Sequence, residues 1–392
     1  MIYLITILLL LALVFHYDIR GNNRNRKKWY YIMLVIFILI AGLRYRLGID
    51  TTRYLATFYF ETPQLDKFNW NIFELGNDPL YKLFNSVVLT MGGKFYVVQL
   101  LHAAFVNTLI FKYIEKHTSA IFTSIFLYFI WQYCAMNMEE MRASMSIAVC
   151  LYANDYMLEK KWSKGILLYV IGSLFHVSTI LVMAMPLLFF MRFNIVGLLI
   201  VVGAIFSGFI IQSFLGDYLS YVELIDSLSE KVDKYADKEK YMEASRNVYG
   251  YLMKIIPCIY VAVSILYMKA GRIHTRLNKV EPLIMVFLVF AMLAMNVPIA
   301  YRYMRFYIIY CIMFIAEFMV YLFHDHKKKS VVYMKAFIFL FPLFLVIARM
   351  RLNETTWVRY HPYSSIFDQK LDEDREIMFS FSKGDPPYSG KY

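Results

Sequence analysis

The chain has 392 residues, 60% of them hydrophobic and 18% charged, with a formal net charge of +12. A water-soluble domain of this length is nearer half apolar and a quarter charged, so that class is excluded. The positive balance would point to nucleic acid in a soluble protein, but here the basic residues sit in short loops between apolar runs, which marks membrane topology and no nucleic-acid partner.

A helix needs about 20 apolar residues to cross a bilayer, with a lower limit near 17. Apolar runs cover 1–17, 29–43, 95–114, 119–136, 138–157, 164–176, 177–191, 194–215, 249–269, 281–299, 303–323 and 331–349. They predict an all-α polytopic integral membrane protein with about 12 transmembrane helices. Strands of a membrane barrel would alternate over about ten residues, and these runs are longer and uniformly apolar. The first run, MIYLITILLLLALVFHY, lacks a basic leader and a small-residue cleavage site. It reads as a retained span with its N-terminus outside.

Segment 79–91 is too short to cross, and Asp78-Pro79 supplies an N-cap and an N1 proline. A re-entrant or interfacial helix is expected there. Segment 164–191 holds too few residues for two full spans and a loop. Short or broken helices meeting around Phe175 and His176 are expected, and such breaks line cavities. The polar stretch 216–248 predicts an amphipathic extracytoplasmic helix. The organisation expected is one transmembrane domain, 1–350, with extracytoplasmic loops 44–94 and 216–248, and an extracytoplasmic tail, 351–392. Cys134, Cys150, Cys258 and Cys311 all lie inside apolar runs, which is packing rather than a disulfide framework or zinc site.

Twelve spans place Arg20, Arg24, Arg26, Lys27 and Lys28, then Lys112 and Lys116, Lys160, Lys161 and Lys164, Arg192, Lys269 to Lys279 and Lys327 to Lys329 in cytoplasmic loops. Those loops are basic and nearly free of acid, as the positive-inside bias requires. The opposite face then carries arginines that run against the bias: Arg44, Arg142, Arg302 and Arg305. An arginine near membrane depth costs about 2.5–3.5 kcal/mol on insertion scales and is tolerated where it meets a partner or a ligand. A guanidinium matches phosphate and carboxylate oxygens with a planar fork. The anion that fits the outer leaflet of a bacterial inner membrane is a polyprenyl diphosphate bearing a sugar chain.

The blocks GLRYRLGIDTTRY (42–54), Gly76 to Tyr81, MRASMSIAV (141–149) and FHVS (175–178) follow one another in this order. Together they resemble the EpsG family of exopolysaccharide polymerases, relatives of the Wzy-type O-antigen polymerases. AYRYMRF (300–306) and YHPYSS (360–365) resemble later blocks of the same family. Ala143 stands where the family commonly has glutamine. The resemblance implies a GT-C-like architecture, a multi-pass place in the bacterial inner membrane and an active site on its periplasmic face. It implies an inverting transferase, independent of metal or other cofactor, that moves a glycan from undecaprenyl diphosphate onto the non-reducing end of a second lipid-linked repeat unit. Donor and acceptor lipids and the bilayer are the partners it implies, with a chain-length regulator and a flippase beside them. An O-antigen-ligase-like transferase shares the donor chemistry. A transporter or flippase of lipid-linked oligosaccharide would also place arginines in a cavity, but transporters often show repeated halves and none is visible here. A membrane acyltransferase would want its histidine on the other side.

On this reading His176, Arg142, Glu139 and Asp50 are the candidate catalytic residues. Arg44, Arg46, Tyr54, Asp78, Tyr81, Arg302 and Arg305 are the candidate substrate-binding ones. Arginines would hold the developing diphosphate charge. His176, Asp50, Glu139 or Glu140 would take the proton of the acceptor hydroxyl. The structural alternatives are equally definite. Arg44 and Arg46 can anchor a helix end, and Asp50 can cap the helix that starts at Thr51. Arg142 can pair with Glu139 one turn before it. His176 can be a satisfied core histidine, and Tyr301 and Tyr303 can belong to an aromatic belt. Asp372-Glu373-Asp374 reads as solvated tail and His324-Asp325-His326 as basic loop, so no metal site is expected.

Overall fold

A computed structural model describes residues 1–48, 50–71, 78–218, 258, 260–266, 276–297, 299–324 and 359–369. The expected span 331–349, Gly76 and Asn77, most of the 216–248 segment and Asp372-Glu373-Asp374 lie outside the described residues. Among the described residues the fold is helical, with no strand beyond one isolated antiparallel bridge. Three helices there are long and apolar enough to cross a membrane: α1 (Ile2–Ile19), α5 (Phe95–His117) and α12 (Ala300–His324). Shorter apolar helices accompany them, so the chain is a helical membrane protein.

The chain divides into two compact units, Met1–Met183 with Met319–Tyr392, and Ala184–Phe318. In the first, α2 (Arg26–Gly42) packs on α5, and α7 (Met141–Leu158) packs on both α5 and α8 (Trp162–Phe175). Gly42 makes the first packing possible. A Cβ there would lie 2.8 Å from the backbone Cα of Leu100. The second unit holds α10 (Ile195–Tyr218), packed on α11 (Glu281–Leu293).

A network of polar groups inside the apolar helices is paired, as lipid, which offers no substitute for water, requires. Asn107 of α5 donates to Asn137 Oδ1 at 2.7 Å, while Asn137 donates to the hydroxyl of Tyr128 at 2.9 Å. Tyr128 lies on α6 (Ile121–Tyr133). Tyr133 donates to the Phe37 carbonyl of α2 at 2.5 Å. At the end predicted to be cytoplasmic, the buried carboxylate of Asp18 accepts the Thr123 amide at 2.7 Å and its hydroxyl at 2.9 Å. The same carboxylate binds Arg26 at 3.0 Å. It thereby satisfies one of the orphan amides in the first turn of α6.

Two expectations about broken helices can be read directly. α8 ends at Phe175, His176 is extended, and only the one-turn α9 (Thr179–Val182) and a 3₁₀ turn, Met185–Leu188, follow. The helix expected at 79–91 is α4 (Pro79–Thr90), 12 residues long and so shorter than a crossing requires. It packs on α5 and α8.

Candidate functional site

The site is built where three sequence-distant elements meet in the first unit: the start of α4, the start of α7 and the break after α8. Pro79 at N1 starts α4 with its φ already set, and Asp78 is the N-cap residue. Its carboxylate does not cap the helix, contrary to the usual role of aspartate there. One oxygen accepts Nη1 of Arg142 at 2.5 Å, and the other faces Nδ1 of His176 at 3.2 Å. The alternative i,i+3 pair of Arg142 with Glu139 does not form. Glu139 lies in a wide π-type turn, Ala135–Glu139, and α7 starts only at Met141, so the two residues do not share a helical face.

An ionised carboxylate only accepts, so the proton on Nδ1 of His176 points at Asp78. In the neutral ring Nε2 is then the acceptor, and the Ser178 hydroxyl lies 3.2 Å from it. Asp78, His176 and Ser178 are thus joined in a chain of contacts. The Asp78 side chain is 6% exposed, against 18% for His176 and 32% for Arg142, so the two client groups open outward from a buried carboxylate. Burial alone would raise the Asp78 carboxyl. The hydrogen bond from His176, the Arg142 charge and the His176 charge outweigh it and hold the group below the usual carboxylate range. The sign follows: a depressed acid contributes stability that is complete above its unfolded value near 4 and disappears as pH falls through the lower folded value. The pair is therefore intact throughout the neutral range.

Tyrosines support the cation from behind. The Arg142 guanidinium sits over the Tyr54 ring at 5.5 Å, and Tyr54 meets Tyr81 edge-on at 5.9 Å. Both rings are buried, at 8% and 3% exposure. In this structure the two rings pack beneath Arg142.

Arg44 is fully buried. It follows α2 by two residues and folds back so that Nη1 donates to the Ala41 carbonyl, while Nη2 lies 3.5 Å from the Met141 sulfur. A cation on the last carbonyls of a helix meets the negative end of its dipole. Arg44 thus ends α2 and touches the residue before Arg142, with no surface of its own. Arg46 has a left-handed backbone, φ 47°, and its guanidinium lies over the Tyr45 ring at 5.4 Å. Asp50 stands at the N-cap of α3 (Thr51–Ala56) without a side-chain cap hydrogen bond. Arg302 and Arg305 lie on α12 near its start, with Arg305 over the Tyr301 ring at 5.5 Å. They fall in the second unit.

Sequence reading named neither Ser178 as part of the site nor Arg359 as a partner of Glu139. The Arg359 guanidinium lies 3.5 Å from the Glu139 carboxylate. A second missed feature is Gly48. Its φ is +90°, and a Cβ would lie 2.4 Å from the Met138 carbonyl oxygen. The Gly48→Ala protein is expected to lose roughly 2 kcal/mol or more from strain and clash together. A lowered melting temperature in detergent checks this, and a melt equal to wild type would refute the close approach.

The model of the EpsG family matches residues 27–365. No curated protein and no solved structure matches the chain.

Proposed function

The chain belongs to the EpsG family, and from that premise we propose that it is a glycosyltransferase that polymerises lipid-linked oligosaccharide repeat units into a surface polysaccharide. The observation that carries the reading is the single carboxylate of Asp78 holding both Arg142 and His176. A transferase of this kind needs a base for a sugar hydroxyl and a cation for a departing diphosphate, held close together. His176 accepts the acceptor hydroxyl proton on Nε2, in the place that the Ser178 hydroxyl occupies here. The alkoxide oxygen attacks the anomeric carbon of the donor. The bond to the diphosphate breaks with its electron pair, and the anomeric configuration inverts. Arg142 stabilises the charge that develops on the leaving oxygen. The proton on His176 is returned to solvent.

The finer reading is a multi-pass protein of about twelve spans with a GT-C-like architecture, in the bacterial inner membrane with the site on its outer face. Undecaprenyl diphosphate is the carrier, with a chain-length regulator and a flippase as neighbours. Family resemblance and the charge distribution of the loops support this reading.

The test uses purified protein in lipid vesicles with a synthetic undecaprenyl-diphosphate repeat unit. A ladder of unit multiples is expected from wild type. A His176→Ala protein is expected to be slower by about 10²–10⁴-fold, the usual share of a positioned base. Movement of the unit lipid between leaflets with no ladder would convert the reading to transport.

A further inference from the structure

The segment after residue 358 returns to the site it follows by more than 180 residues. Its backbone pairs with the loop that joins α2 to α3. The Tyr45 amide donates to the Ser364 carbonyl at 2.9 Å, the Ile366 amide to the Leu43 carbonyl at 2.9 Å, and the Gly48 amide to the Arg359 carbonyl at 3.0 Å. Arg44 and Ser365 form an antiparallel bridge. The Tyr363 hydroxyl donates to the Ile40 carbonyl at 3.0 Å, and its ring meets Tyr3 edge-on at 6.0 Å. Tyr360 and Ser364 are buried. This is not the tail of a membrane protein left in solvent.

The loop so pinned is the one that bears on Arg142. Gly48 lies against the Met138 carbonyl, Thr51 donates to that same carbonyl at 3.2 Å, and Arg44 reaches Met141. Met138 to Glu140 is the irregular stretch that leads into α7 at Met141, and Arg142 is the second residue of that helix. Glu139 lies inside that stretch, and its carboxylate is the group that Arg359 holds. Ties at Tyr45, Gly48 and Glu139 therefore run from the C-terminal segment to the loop and turn that precede Arg142.

We propose that residues 359–366 are a positioning strap, and that the Arg359–Glu139 ion pair is its clasp. The pair makes Glu139 a positioning residue and leaves the base role to His176. The strap fixes the 44–51 loop, the loop fixes the π-type turn, and the turn sets the direction in which Arg142 leaves α7. The catalytic half of this inference rests on the transferase reading above, whereas the structural half does not.

The experiment uses full-length protein in lipid and four forms: wild type, Arg359→Glu, Glu139→Arg and the double charge swap. Hydrogen exchange is followed at the Tyr45, Gly48 and Ile366 amides, and ladder formation is followed in parallel with donor lipid varied. Each single reversal is expected to speed exchange at those amides by at least tenfold. It is also expected to lower the turnover number about tenfold while KM stays within twofold. The swap is expected to restore exchange and turnover together to within threefold of wild type. A milder Arg359→Gln protein guards against misfolding of the reversals and should show the same changes in smaller measure. Unchanged exchange in Arg359→Gln would overturn the strap. Failure of the swap to restore turnover while exchange recovers would return Glu139 to the chemistry and overturn the clasp. No ladder from wild type would refute the transferase reading alone, since the exchange data still decide the strap.

Discussion

An Asp78→Asn protein inserts and folds but makes polymer about 10²–10⁴-fold more slowly than wild type. The side chain keeps its size and loses its charge and one acceptor face. The carboxylate fixes the Nδ1–H tautomer of His176 at 3.2 Å and so keeps Nε2 free to take a proton. An amide can turn its NH₂ toward Nδ1, which moves the ring proton to Nε2 and removes the base. The other orientation keeps the tautomer but leaves Arg142 facing an amide nitrogen. Neither orientation serves both clients. Initial rates of ladder formation at matched protein in vesicles measure the loss. A rate within threefold of wild type would show that the carboxylate does not orient the base. Asp78→Glu, which keeps the charge and shifts its position by a methylene, is expected to fall between the two.

An Arg142→Ala protein has two separable defects. Breaking a fully buried ion pair costs about 3–5 kcal/mol. With 32% of the Arg142 side chain exposed, about 2 kcal/mol is expected, because water partly screens the pair. A lower melting temperature in detergent reports that part. Turnover is expected to fall a further 10²-fold or more, because the charge on the leaving diphosphate loses its stabiliser. The two parts are distinguished by adding Asp78→Ala to Arg142→Ala. The double variant should regain most of the lost stability, since no unpaired carboxylate remains, and none of the turnover. Arg142→Lys keeps the charge but neither the planar fork nor the stack over Tyr54, and it should recover the melt more fully than the rate. If stability and rate fell and recovered together across these variants, Arg142 would be a structural cation only.

Much of this arrangement was legible as local pattern. The helix break at His176 follows from the shortness of the apolar run, and the start of α4 follows from Asp78-Pro79. What local pattern does not carry is who pairs with whom. Asp78 meets Arg142 and His176 at separations of 64 and 98 residues, and Glu139 meets Arg359 at 220. The one pairing that spacing suggested, Arg142 with Glu139, assumed a regular helix across both. The π-type turn at Ala135–Glu139 breaks that regularity, and nothing in its composition announces it. Arg44 looked like an anion ligand because it follows a span and opposes the topology bias. In the structure its guanidinium is buried and donates to a carbonyl of the helix it follows, a contact that spacing does not announce. Ser178 belonged to a recognised block, but its place beside Nε2 depends on how the chain turns after Phe175.

One oxygen of Asp78 serves the base and the other serves the cation. Any change that draws the carboxylate toward Arg142 slackens its hold on the imidazole, and the converse holds as well. On the proposed transferase reading, proton affinity at one end of the reaction and grip on the leaving group at the other are therefore coupled through one carboxylate. A homologous site evolving toward a poorer nucleophile or a tighter carrier lipid would have to change both together, or first separate them by recruiting a second acid.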